Sequence, residues 1–158
     1  MGRELRKVPK NWQHPRDRDG EYIPLLKAEF YHVNLKDWKE EKEQWDKGFE
    51  DDYNGGWVPK GKEYDGVTYE ELFGDMPDKK DYMPEWKEDE LTHIQLYETT
   101  SEGTPESPVF EKSELDKLCA YAAEHCFTFA DYRATKEEWK QMLISGYVYH
   151  EENDIIFM

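Results

Sequence analysis

The chain is short of several things, and each shortage narrows what it can be. No run approaches the roughly 18 consecutive apolar residues of a membrane-spanning helix, and the first residues lack the apolar stretch of a secretory signal. A cytoplasmic protein without membrane contact is expected. Met1-Gly2-Arg3 starts like a myristoylation signal, but Arg6 stands where that signal needs Ser or Thr. Cysteine is scarce: Cys119 and Cys126 suit a reducing compartment better than a disulfide framework. On one helix they would lie seven residues apart, about 10 Å along the axis, too far to bridge.

Catalytic and metal-binding patterns are missing as well. Ser101-Glu102-Gly103 and Ser145-Gly146 lack the Gly-x-Ser-x-Gly turn that presents a nucleophile, and Gly55-Gly56 lacks the Lys-Ser or Lys-Thr of a phosphate loop. The histidines His14, His32, His93, His125 and His150 do not form the tight pairs of a zinc site, because His125-Cys126 would point in different directions on a helix. Glu50-Asp51-Asp52 with Asn54, and Asp75, Asp78 and Asp81, lack the alternating ligands, central Gly and distal Glu of a calcium loop. The expectation is no catalytic residue, no metal ligand and no cofactor.

What the chain does have is negative charge and aromatic rings. Its 158 residues carry 37 Asp and Glu against 21 Lys and Arg, a formal net charge of -16. Residues 1–20 run against this, with six basic and three acidic side chains, so the remainder carries about -19. Such a surface repels phosphate backbones and favours basic clefts, which argues for a basic protein partner and against direct contact with nucleic acid. The apolar fraction is only 37% and the mean hydropathy is -1.09, values that would suit disorder, but six Trp, eleven Tyr and seven Phe do not. Large rings let a small core close with few aliphatic side chains.

Periodicity predicts an α+β domain with an aromatic-rich core, long acidic loops, and a small, mostly antiparallel sheet with about three helices on one face. The sheet would draw on Tyr22–Val33, Thr92–Thr99 and a terminal hairpin of Tyr147–His150 with Ile155–Met158. The helices would be Leu35–Lys47, capped by Asn34 and stopped by Gly48; Ser113–His125, capped by Ser113; and Lys136–Ser145, opened by a Thr135/Glu138 capping box and stopped by Gly146. A second box, Thr68 with Glu71, marks a short helix, and Val67 can staple onto Leu72. Trp38, Trp45, Ile94, Leu96, Leu118, Ala122, Trp139 and Leu143 are the expected core. Residues 1–20 read as an extended basic arm, and 21–158 as one domain with an acidic, loop-rich insertion at 50–90.

Two segments carry a family pattern: Glu4-Leu5-Arg6-Lys7-Val8-Pro9 with Asn11-Trp12 and His14-Pro15, and Gln95-Leu96-Tyr97-Glu98-Thr99-Thr100-Ser101-Glu102-Gly103-Thr104-Pro105 with Ser107-Pro108 and Phe110. In these the chain resembles a group of small acidic proteins encoded by bacteriophages and prophages, a group without an established activity. The resemblance covers about a quarter of the chain. It implies a mobile-element origin and a bacterial cytoplasm, and so roles such as blocking host defence, redirecting a host enzyme or assisting replication and packaging. The Ser101–Phe110 loop reads equally as a contact surface and as a strand-to-helix connection.

The insertion is the principal candidate site. It packs fourteen acids against five lysines, with Tyr53, Trp57, Tyr64, Tyr69, Tyr82 and Trp86 spaced through it. Carboxylates can stand in for phosphates while rings anchor an interface. The expected function is a phage-encoded, anti-CRISPR-like inhibitor of a bacterial defence nuclease, occupying a basic nucleic-acid cleft through Glu50, Asp51, Asp52, Tyr53, Trp57, Asp75, Asp78, Asp81, Tyr82 and Trp86. The alternative is a non-enzymatic structural or adaptor protein that binds a host or virion protein through an apolar patch.

Overall fold

The computed structural model describes residues 2–127 and 132–152, with side chains for all of these except 146–152. In chain order the elements are β1 (Arg3–Val8), α1 (Glu29–Asp46), β2 (Phe49–Asp51), β3 (Trp57–Pro59), α2 (Tyr69–Phe73), β4 (His93–Glu98), β5 (Thr104–Pro105), β6 (Phe110–Glu111), α3 (Leu115–His125) and α4 (Lys136–Glu152), with four single 3-10 turns between them. This is an α+β protein built on a small antiparallel sheet. The backbone divides into two compact units, residues 1–25 with 84–158, and residues 26–83. Among the described residues no helix is long and apolar enough to cross a membrane.

In the first unit β4 is the central strand. β1 pairs along its whole length, and β5 and β6 share its other edge, all antiparallel. The register sets Leu5 opposite Leu96 and Arg6 opposite Gln95, and directly opposed residues share a face. Leu5, Ile94 and Leu96 therefore meet Leu118, Cys119 and Ala122 of α3 and Trp139 and Leu143 of α4, the apolar core. The helical spacing of those residues is the reason these two segments lie on the sheet. Both cysteines are free and buried here, and burial pushes the Cys119 thiol up to about 11.

The other face of the sheet is buried too, under polar and aromatic groups. Arg6, 4% exposed, donates to Leu25 O at 2.7 Å, Glu102 O at 3.2 Å and Glu4 Oε1 at 2.9 Å, and its guanidinium lies 4.4 Å from the Tyr97 ring centre. A buried cation is tolerated when its donors are satisfied in this way. Tyr97 Oη accepts from Trp12 Nε1 at 2.9 Å and lies 3.0 Å from His14 Nδ1, while His14 Nε2 lies 2.5 Å from Ile23 O. Ile23 O can only accept, so Nε2 carries the proton and Nδ1 accepts from the Tyr97 hydroxyl. The turn after β4 completes the layer: Glu98 accepts from Thr100, Ser101 and Thr104, and Gly103, at φ +138°, leaves no room for a Cβ between Leu25 O and the Arg6 guanidinium.

Several expectations need correction. Residues 1–20 do not lie as an arm across the surface, because Arg3–Val8 is a full partner of β4 with Leu5, Arg6 and Val8 buried. Tyr22–Val33 supplies only isolated bridges at Tyr22 and Leu26. Helix α1 begins at Glu29, since the 3–4 spacing of Asn34, Leu35, Trp38 and Trp45 extends back to Tyr31. Asn34 caps nothing and instead donates to Tyr82 Oη at 3.0 Å. Trp38 is half-buried, and Phe49 is exposed. Ser113 lies in a 3-10 turn ahead of α3. Helix α4 runs through Gly146 to Glu152, so Tyr147–His150 forms no hairpin strand; one glycine costs a helix only about 1 kcal/mol. Ile155–Met158 lies outside the described residues. Gly48, at φ +98°, does end α1, and Thr135 with Glu138 forms the reciprocal box.

Two measurements test this account of the first unit. Gly103→Ala should cost roughly 2–5 kcal/mol in urea unfolding, backbone strain plus overpacking, whereas Gly20→Ala, left-handed but with open space around its Cα, should cost about 1 kcal/mol. The second is pH. Burial lowers the His14 pKa from its ordinary 6.5, the Ile23 hydrogen bond opposes the shift, and the Arg6 and Arg16 charges add to it. The unfolded chain then takes up a proton that the folded chain refuses, so stability should fall as pH drops below about 6.5. Burial alone would raise the Glu98 carboxyl, but its hydroxyl and backbone partners outweigh that and hold it at about 2. Further loss is expected as pH falls from the ordinary carboxylate range toward that value. His14→Asn should flatten the slope between about pH 7 and 5 whatever its own stability, and an unchanged slope would refute the assignment.

Candidate functional site: an acid-lined aromatic pocket

The second unit, residues 26–83, closes around rings. Helical spacing puts Trp38, Glu41 and Trp45 of α1 on one side. Gly48 then reverses the chain into the β2–β3 hairpin, whose register sets Asp51 opposite Trp57. The five-residue loop between the strands is pinned by its own carboxylates: Asp51 Oδ1 accepts from Tyr53 N at 2.7 Å, and Asp52 Oδ1 accepts from Asn54 N at 2.8 Å and Gly56 N at 2.9 Å. Those two backbone donors hold the Asp52 carboxyl below its ordinary pKa. Tyr53 stands at the tip with φ +60° and is 84% exposed. Thr68 caps α2, accepting from Glu71 N at 3.1 Å, and α2 carries Tyr69, Leu72 and Phe73 into the unit.

Trp45 is the hub. It is 3% exposed, donates from Nε1 to Val67 O at 2.9 Å, and its ring centre lies 5.4 Å from Tyr64, 6.2 Å from Tyr69 and 5.7 Å from Phe73. Between these rings and the hairpin is a cavity of about 80 Å3, walled by Trp45, Phe49, Tyr53, Trp57, Tyr64, Tyr69, Leu72 and Phe73 and by three carboxylates, Glu41, Glu50 and Asp51. It shares Glu41, Asp51, Tyr53 and Trp57 with a wider trough that adds Asp37 and Glu40. No basic side chain lines either one.

The three carboxylates are half-buried and each spends one oxygen internally: Glu41 accepts from the Tyr69 hydroxyl, Glu50 Oε2 from Gly61 N at 3.2 Å, and Asp51 Oδ1 from Tyr53 N. Burial first, and then the Glu41 contact, pushes the Tyr69 phenol well above its ordinary pKa, so it stays a donor. None of the three is ion-paired among the described residues. The nearby lysines pair elsewhere, Lys42 with Glu70 at 2.8 Å and Asp46 at 3.2 Å, and Lys47 with Glu43 at 3.0 Å. The Lys60 ammonium sits 4.4 Å from the Trp45 ring centre, a cation on the rim of the same ring system.

Of the residues expected at the site, Glu50, Asp51, Tyr53 and Trp57 come together at this pocket, and Asp52 holds the loop that carries them. Asp75 and Asp81 are exposed in the segment that follows α2, and Asp78 caps a 3-10 turn by accepting from Lys80 N at 3.0 Å. Tyr82 is not an anchor: it is 7% exposed, with its ring 5.2 Å from Tyr31. Trp86 belongs to the first unit, where its ring meets Trp12 edge-on at 4.8 Å. Glu41, Trp45, Phe49, Tyr64, Tyr69, Leu72 and Phe73 also line the pocket and were not among the residues expected there. The four-residue spacing of Glu41 and Trp45 was the available signal, since it puts a carboxylate beside an indole on one helix face.

Among the described residues no three His, Cys, Asp or Glu side chains are grouped to hold a metal ion. The family-like segments meet in the first unit, where Arg6, Trp12, His14, Tyr97, Glu98 and Gly103 form one hydrogen-bonded layer, so the 98–105 turn has a structural reason for its residues. No family model, no curated protein and no solved structure matches the chain.

Proposed function

We propose that the protein acts by contact, with residues 26–83 serving as a binding module for a basic protein surface of the kind that holds nucleic acid. The observation that supports this is the pairing of exposed rings and unneutralised acids in one unit. Phe49, Tyr53, Val58, Leu72, Phe73 and Met76 are all exposed there, and Glu41, Glu50 and Asp51 of the same unit make no ion pair among the described residues. Large exposed apolar side chains among like charges fit an interface with anchors at its centre and charge complementarity around it.

The specific form of the proposal is a phage-encoded inhibitor that occupies the nucleic-acid cleft of a bacterial antiviral nuclease. Added to purified CRISPR effector nucleases, the protein should block target cleavage near stoichiometry, with nucleic acid competing for the same surface. Raising salt from about 0.1 M to 1 M shortens the screening length from about 10 Å to 3 Å and should weaken binding steeply. Replacing Glu50, Asp75 and Asp81 by Gln or Asn should weaken it by about tenfold or more with unfolding unchanged; Asp51, Asp52 and Asp78 are left in place because they hold turns. A complex that survives molar salt and saturating nucleic acid would rule this reading out in favour of an adaptor bound through an apolar patch.

A further inference from the structure

We propose that the pocket under the β2–β3 hairpin receives one arginine side chain of the partner. This rests on the reading of residues 26–83 as a binder of basic surfaces and adds the chemistry of its central contact. Size is the first argument. A cavity of about 80 Å3 is far below the roughly 300 Å3 and more of a cofactor or drug-sized site, and matches one side-chain head group.

Charge is the second. An anion would meet Glu41, Glu50 and Asp51 with no cation lining the cavity to offset them. An apolar occupant would strip water from three half-buried carboxylates and offer no hydrogen bond or charge in return. A cation supplies what is missing. Each carboxylate has an oxygen left over from its internal hydrogen bond, and most of the wall is aromatic, the side-chain type that attracts a positive charge to its ring face. The protein already makes such a contact at the rim, where Lys60 stands over Trp45.

Guanidinium fits better than ammonium. It is planar and weakly hydrated, stacks on indole and phenol faces, and offers forked donors to carboxylates. An ammonium would have to shed a tightly held water shell to pass between Trp57 and Tyr53. The occupant is therefore an arginine presented by a basic surface, seated among Trp45, Trp57 and Tyr53, with its fork toward Glu50 and Asp51.

The test uses the full chain and Nα-acetyl-arginine methylamide, beside its citrulline and lysine counterparts, with 1H–15N NMR reading backbone amides and Trp indole N–H groups. The arginine probe should give saturable shifts at Trp57, Trp45 and the 51–57 loop, and the neutral citrulline probe none. Glu50→Gln, which keeps an acceptor for Gly61 N, should weaken the arginine probe at least about tenfold. Tyr53→Ala, at a residue 84% exposed and so harmless to the core, should weaken it as well. Absence of saturable shifts, equal binding of citrulline, or tighter binding of lysine would overturn the assignment. Because the probe needs no partner, its failure leaves the contact reading of residues 26–83 intact, and a failed nuclease assay with a binding probe would sink that reading alone.

Discussion

A chain with this little aliphatic surface has to close its interior with rings and polar groups, and a polar group taken out of water must find a partner. That requirement shapes the first unit. One face of its sheet is apolar and takes α3 and α4. The other buries an arginine, a histidine and a tyrosine, and each of the three is held by hydrogen bonds to neighbouring segments, although Gln95 Oε1 on this face and Trp139 Nε1 in the core are buried without a partner. Arg6 reaches across three segments, to Leu25, to Glu102 and to Glu4, so the strand, the 9–25 crossing and the turn after β4 are tied through one guanidinium. Gly103 follows from the same constraint, since the guanidinium occupies the space a side chain would need.

The second unit solves the problem with indole and phenol rings whose polar ends stay paired: Trp45 to Val67, Trp38 to Gly74, Tyr69 to Glu41, Tyr82 to Asn34. Packing rings at 5–6 Å leaves gaps, and one of them is open to three acids. Arg6 in the first unit pairs with Glu4, whereas Glu41, Glu50 and Asp51 in the second are half-buried and make no ion pair among the described residues. That difference is the physical basis for the proposal that a cation completes the pocket.

The segments with the family pattern turn out to be the ones that build Arg6's surroundings. Pattern residues such as Trp12, His14, Tyr97 and Gly103 have packing duties in this structure that account for their identity. The acid-lined aromatic pocket lies instead in residues 26–83, where the pattern is absent.

By itself the sequence determined the α+β class, the paired faces of β4, the α3 and α4 core residues and the Thr68 and Thr135 caps, because those depend on spacings within one segment. It also picked out the acidic aromatic stretch, of which Glu50, Asp51, Tyr53 and Trp57 line one pocket. The tertiary structure decided the rest. Arg3–Val8 carries four charged side chains among six and reads as an arm until β4 is present to pair with it. Tyr82 and Trp86 sit in the same acidic stretch as Trp57, yet one is buried against Tyr31 and the other leaves for Trp12. Glu41 and Phe73 become a site only when α1, the hairpin and α2 converge. Burial and convergence are long-range properties, set by which rings find one another across tens of residues, and no local spacing encodes them.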